Sequence, residues 1–268
     1  MAVFLILSKA KNSKISYMKV IWKTRNNIEI ETTSFDEKGK RILAHSQGHN
    51  LRPLVIWYDK SNVYYLNCRS GEGVNADGTP RTKPLLPHNV EFIYNGKLNY
   101  VNVSNIQVMN RYDFEKIYGA LDSNDLKLNP YDLPNYIAKQ ILEKMNDFIE
   151  KGDYTVQKVW IENTKELKNG RNNVWLGNKA LYSKEAGIYN DFIDERFKLT
   201  WETIMNNFKK DPPGFWENKN CNFKDSSASK ILTISLSTLF NDYEKYKQRL
   251  KKEEKEKKNK NDDYGFEM

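Results

Sequence analysis

Cysteine and histidine are scarce, and no apolar stretch is long. Two cysteines and three histidines stand among 268 residues. Cys68 and Cys221 lie far apart and outside any metal-ligand spacing, so the sequence points neither to a disulfide framework nor to a zinc site. A protein of the reducing cytoplasm, with no metal and no cofactor, is the expectation. The apolar run at residues 2–7 (AVFLIL) is shorter than a signal-peptide core and follows no basic segment. Nothing approaches the ~20 consecutive apolar residues that a membrane helix needs. No membrane partner is expected.

What is present is enough apolar matter for a core, 39% of residues with 13% aromatic, and an uneven charge. The formal net charge is +8, but nine Lys or Arg and only three Glu fall between 245 and 260, a local +6. The rest of the chain is therefore close to neutral. A polyanionic partner, if there is one, meets the C-terminal end first.

From residue 18 to about 118 the pattern is one of short strands broken by turn residues, with no helical period. Residues 18–22 and 28–33 read as a hairpin about Arg25-Asn26-Asn27. Residues 53–58 and 63–68 form a second, turning at 59–62. Residues 90–94 and 97–101 flank Asn95-Gly96, the dipeptide that suits a two-residue turn because both positions need positive φ. A further strand follows at 104–109. Five or six such strands without intervening helices predict a small barrel, closed or partly open. The segment 71–89, rich in Gly, Pro and basic residues, is too long for an ordinary connection and reads as a functional loop.

Beyond 118 the period changes. Ile137, Ile141, Leu142, Met145, Phe148 and Ile149 give residues 133–151 one apolar helical face, with Gly152 as its stop. Strands are expected at 155–161 and 173–182, and a long helix at 184–210 ended by Pro212-Pro213-Gly214. A last helix begins near Ser227, its stripe running to Leu250. The organisation expected is α+β: a barrel with its helix over 1–152, a mainly helical extension over 153–250, and a disordered charged tail over 251–268.

The segment Gly48-His49-Asn50-Leu51-Arg52-Pro53-Leu54-Val55-Ile56, followed by Tyr64-Tyr65-Leu66-Asn67-Cys68-Arg69-Ser70, resembles the PemK/MazF-type toxin ribonucleases. In that family a Gly-containing loop leads into an Arg-Pro pair opening an apolar strand, and a second strand ends in a Thr-Ser or similar polar pair. Residues 99–112 look like the later strand that runs into a charged segment. The resemblance covers roughly residues 18–150. It implies an SH3-like antiparallel barrel and a toxin of a toxin–antitoxin pair. Its activity would be a metal-independent endoribonuclease that cuts single-stranded RNA by 2′-hydroxyl attack, with an antitoxin as associate; a homodimer is a separate expectation, from the stripe of the helix Ser227 to Leu250, broad enough for a coiled coil. Arg69 stands where the family has Thr, a departure that bears on catalysis more than on fold.

Such chemistry needs a base, a cation for the phosphorane charge and an acid for the leaving oxygen. Arg52 fits the cation, since its guanidinium stays charged and matches phosphate oxygens. His49 fits the base or acid, with His45 as the nearby alternative, while the third histidine, His88, sits at the end of the long loop. Ser70 and Arg69 alternate across the strand, so one of the two faces the site. Trp57 and Tyr64 are candidates to stack on bases, and Arg81 and Lys83 to hold the backbone. The competing reading is a non-catalytic module that binds nucleic acid or a protein, docking through its C-terminal helix and basic tail.

Overall fold

In the computed structural model, residues 18–21, 28–35, 41–44, 53–94, 96–121, 131–167 and 170–263 are described. The 59–62 turn shows how local chemistry sets the register. Asp59 Oδ1 accepts from the backbone N–H of Ser61 and Asn62 at 2.6 and 2.8 Å, pinning β4 (Leu54–Tyr58) against β5 (Asn62–Ser70) with Trp57 opposite Tyr64. The Asn95-Gly96 expectation holds at its flanks, since Tyr94 pairs Lys97 and Gly96 has φ 69°. That turn joins β8 (Asn89–Tyr94) to β9 (Lys97–Asn110), a single strand of 14 residues where two shorter ones were expected.

The remaining strands are β1 (Lys19–Ile21), β2 (Ile28–Phe35), β3 (Arg41–Ala44), β10 (Tyr131–Asp132), β11 (Thr155–Glu166) and β12 (Asn172–Ser183). Together they form one sheet in the order β10-β1-β4-β5-β9-β11-β12-β2-β3, with β8 beside β9. Pairing is antiparallel except at β9–β11 and β12–β2. Segment 71–89 carries a separate ribbon of β6 (Glu72–Val74) and β7 (Pro80–Thr82) rather than a structureless loop.

Two expectations fail here. β1 and β2 are not a hairpin: β1 lies between β4 and β10, and β2 between β12 and β3. Nor is the sheet a closed barrel, because among the described residues its path ends at β10 and at β3 without joining them. It must nevertheless curl. Six inter-strand steps separate β1 from β2, roughly 29 Å at about 4.8 Å each, whereas the seven steps of chain between Ile21 and Ile28 reach only about 25 Å.

Both faces of the sheet are covered. Tyr64, Leu66, Ile106 and Val108 point to one side, into a core shared with α2 (Asn135–Glu150), α3 (Asp191–Phe208) and α4 (Ser227–Asp263). Leu54, Ile56, Tyr65 and Met109 point to the other, against Phe114 and Ile117 of α1 (Arg111–Tyr118). A strand buried on both faces reads as an uninterrupted apolar run, which is why β4 is LVIWY with all five residues buried.

α2 ends as expected, with Gly152 at φ 68°, its N–H on Ile149 O and that of Asp153 on Phe148 O. α3 starts seven residues later than expected because Ser183 and Ile188 exchange two backbone hydrogen bonds of 2.8 Å, and Asn190 then caps Ile193 N. Sheet and core run on across residues 152 and 153. β11 continues the same sheet beside β9, and Tyr154, Phe197, Trp201 and Leu236 belong to the same core as Trp57 and Ile141. The expected disordered tail is helical to Asp263. Among the described residues no helix is long and apolar enough to cross a membrane.

Candidate functional site

The two edges of β9 set the site. On one edge β8 pairs as far as Asn102 and β11 starts at Asn105, so Val103 and Ser104 lie between two neighbours. On the other edge the β5 register slips between Leu66 and Cys68, at the same level. The sheet therefore branches, and at the branch a cleft of about 350 Å³ opens on the α1 side. Its polar lining is Asn67, Arg69, His88, Asn102, Gln107 and Asn178; Tyr65, Tyr100 and Tyr118 supply aromatic wall. Among the described residues no Asp or Glu is in the lining.

Strand register places Arg69 directly opposite Tyr100, and the guanidinium lies 4.9 Å over that ring. Its Nε and Nη2 donate to Asn89 Oδ1 at 3.2 and 3.0 Å, and Nη2 also donates to Pro84 O at 2.6 Å. These bonds tie the 83–89 segment to β5. Tyr100 donates to Lys83 O at 2.8 Å and Lys144 Nζ to Asn89 O at 2.8 Å, closing the same wall. Nη1 has no protein acceptor among the described residues.

His88 stands at the end of this wall, with its carbonyl accepting from Val103 N at 3.0 Å. Partial burial holds its imidazole below the usual range, and the positive charges of Arg69 and then Lys144 lower it further against an opposing effect of Glu185. At neutral pH it is an uncharged ring able to accept a proton. Burial pushes the Tyr65 and Tyr118 phenols and the Cys68 thiol well up, so these three stay protonated. Cys68 is therefore no nucleophile. Gln107 donates to Gln157 at 3.2 Å, which fixes one carboxamide of the lining.

One fixed cation, a neutral imidazole, several carboxamides and no carboxylate make a site for an anion that also offers hydrogen-bonding groups. Among the described residues no group of His, Cys, Asp or Glu is arranged to hold a metal ion.

The expected site residues scatter. Of the Ser70/Arg69 pair it is Arg69 that faces the cleft; Ser70 is exposed and closes a local turn with Glu72. Trp57 and Tyr64 cannot stack on bases, because both are 0% exposed, stacked on each other at 6.3 Å, with Phe240 covering Tyr64. Arg81 is exposed on β7 and Lys83 half-buried, and neither side chain lines the cleft. Arg52, His49 and His45 lie outside the described residues. His88 was noted only as the end of the long loop and given no role, and Asn67, Asn102 and Asn178 carried no signal in a chain rich in asparagine. A basic residue in place of the family's Thr at position 69 was the available hint.

Compared with known proteins, the chain matches no family model, no curated protein and no solved structure.

Proposed function

We propose that the protein binds RNA, seating a phosphodiester against Arg69 with the flanking nucleotide on the carboxamides of the cleft. The observation that carries this reading is the pairing of an anchored guanidinium with a lining that, among the described residues, has no carboxylate. A volume of about 350 Å³ suits one nucleotide unit better than a folded partner. The test is fluorescence anisotropy with a labelled single-stranded RNA, comparing the unaltered chain with Arg69→Gln and Arg69→Lys. Loss of one charge-assisted phosphate contact, at about 1.5–3 kcal/mol, weakens binding by roughly ten- to a hundredfold in the Gln variant. Equal affinity in all three proteins refutes the reading.

A second reading, cleavage, is favoured by His88 being neutral beside Arg69. His88 would take the 2′-hydroxyl proton as the oxygen attacks phosphorus, and Arg69 would meet the charge gathering on the phosphorane. This is the metal-independent endoribonuclease chemistry implied by the toxin resemblance, moved from the Arg52 and His49 pair to another pair of residues. Solvent water in the open cleft would protonate the departing 5′-oxygen, because the phenols of Tyr65 and Tyr118 hold their protons too tightly to serve. Incubation with RNA decides: fragments with 2′,3′-cyclic phosphate ends that vanish in His88→Ala establish cleavage, and intact RNA leaves binding alone.

A further inference from the structure

α4 outlasts the body it packs on. Leu232, Leu236, Leu239 and Tyr243 bury one stripe of it, and Phe192 stacks on Tyr246 at 4.7 Å. Every described side chain from Gln248 to Lys257 is exposed or at the exposed margin, and the helix runs on to Asp263. From Leu250 that is 14 residues, an arm roughly 21 Å long at about 1.5 Å per residue.

The arm is charged all round but not evenly. At about 100° per residue, Lys245, Lys247, Arg249, Lys251, Lys252 and Lys255 fall within about 200° of arc, on the side away from the buried stripe. Between 245 and 257 seven Lys or Arg face three Glu. Lys245, Lys247 and Lys252 pair with Asp242, Glu244 and Glu256 at 3.5, 2.8 and 3.9 Å, exposed pairs too weak to neutralise the face. After Leu250 no residue as far as Asp263 is apolar. A helix that lies in a membrane interface needs an apolar face to insert, and this one has none. What remains is a rigid row of cations suited to a run of phosphates.

We infer that the arm of α4 is a nucleic-acid contact that tracks the phosphate backbone without reading sequence. This rests on the proposed RNA partner but uses a different surface: the core side of α4 packs on the sheet face opposite the cleft, with Phe240 against Tyr64. The arm therefore adds affinity and salt dependence, while the cleft holds the nucleotide.

The test is the chain carrying Arg249→Gln, Lys251→Gln, Lys252→Gln and Lys255→Gln together, all at exposed positions of that arc, with Lys251→Arg, Lys252→Arg and Lys255→Arg together as control. Affinity for a labelled single-stranded RNA 20-mer is measured from 50 to 300 mM salt. Four lost phosphate contacts flatten the slope of log K against log salt by about 3, and the Arg control keeps the original slope. An unchanged slope in the Gln variant overturns the inference. So does tighter binding of the unaltered chain to anionic vesicles or polyglutamate than to RNA. The two proposals fail separately: Arg69→Gln without effect sinks the cleft reading and leaves the arm, whereas a flat response to the four substitutions does the reverse.

Discussion

Replacing Arg69 by Leu removes the guanidinium that joins β5 to the 83–89 wall, and its cost follows from the bonds it makes. Asn89 Oδ1 loses two donors and Pro84 O loses one, and Asn89 is 1% exposed, so water does not readily take their place. An orphaned buried acceptor costs about 1–3 kcal/mol, whereas Pro84 is exposed and its carbonyl can be rehydrated at little cost. Loss of the guanidinium over Tyr100 adds about 0.5–1 kcal/mol. The sum is about 1.5–4 kcal/mol, and its lower half is expected because Arg69 is itself only half-buried. Arg69→Lys should lose nearly as much, since one ammonium cannot reach both oxygens and stack on the ring. Urea unfolding followed by tryptophan fluorescence gives the difference, with an unchanged m-value as the check that the unfolded states match. A loss below about 0.5 kcal/mol in Arg69→Leu would mean that the wall stands without Arg69, and the site would lose its defined shape as an argument for a ligand.

Three further outcomes follow from the packing. Gly177 pairs Trp160 across β11–β12, and a Cβ there would come within 2.5–2.7 Å of the indole, so Gly177→Ala should cost about 1–3 kcal/mol in the same unfolding assay, with Trp160→Ala restoring tolerance. A chain ending at residue 152 should give no cooperative unfolding transition, because it leaves one edge of β9 unpaired from Asn105 to Met109 and removes Trp201 and Leu236 from the core; a sharp transition would make residues 1–152 a unit that folds alone. His88 has a folded-state pKa below its unfolded value, so the unfolded chain binds more protons near pH 6. The stability this gives is complete above the unfolded pKa and is lost as pH falls through 6.5 and below; a pH series in which His88→Gln has the same slope as the unaltered chain between pH 5 and 7 would contradict it.

What could be read from the residues was local. The 59–62 turn, the Asn95-Gly96 hairpin and the helix closed by Gly152 each depend on interactions within a few positions, and each is where the pattern put it. α1 escaped notice because eight residues make only two turns, too few for a period when Phe114 and Ile117 are its buried positions. The hairpin assigned to β1 and β2 failed for the opposite reason. A turn-like Arg25-Asn26-Asn27 says that the chain can reverse, not which neighbour it finds, and β12 outbids β1 through a parallel register of five residues. The same blindness misplaced Trp57 and Tyr64. Alternation told that each had a face, but only the arrival of α4, with Phe240 from almost two hundred residues away, decided that this face was interior.

The site was hidden for a related reason, and its position has a physical cause. A sheet strand has two edges, and β9, at 14 residues, is longer than any single neighbour pairs. β8 satisfies its beginning and β11 its end on one edge, so the ladder must be handed over at Val103 and Ser104. Backbone groups at such a handover cannot all find strand partners and turn to loops and side chains instead. Val103 N goes to His88 O, and Ser104 N to Asn102 Oδ1. That demand selects short carboxamide side chains and brings the 83–89 segment down onto the sheet, and the same residues then line the cleft. The notch is thus a consequence of strand length, while the choice of Arg69 to anchor it and the exclusion of carboxylates from it are not required by the handover. Those two features are what a ligand would explain.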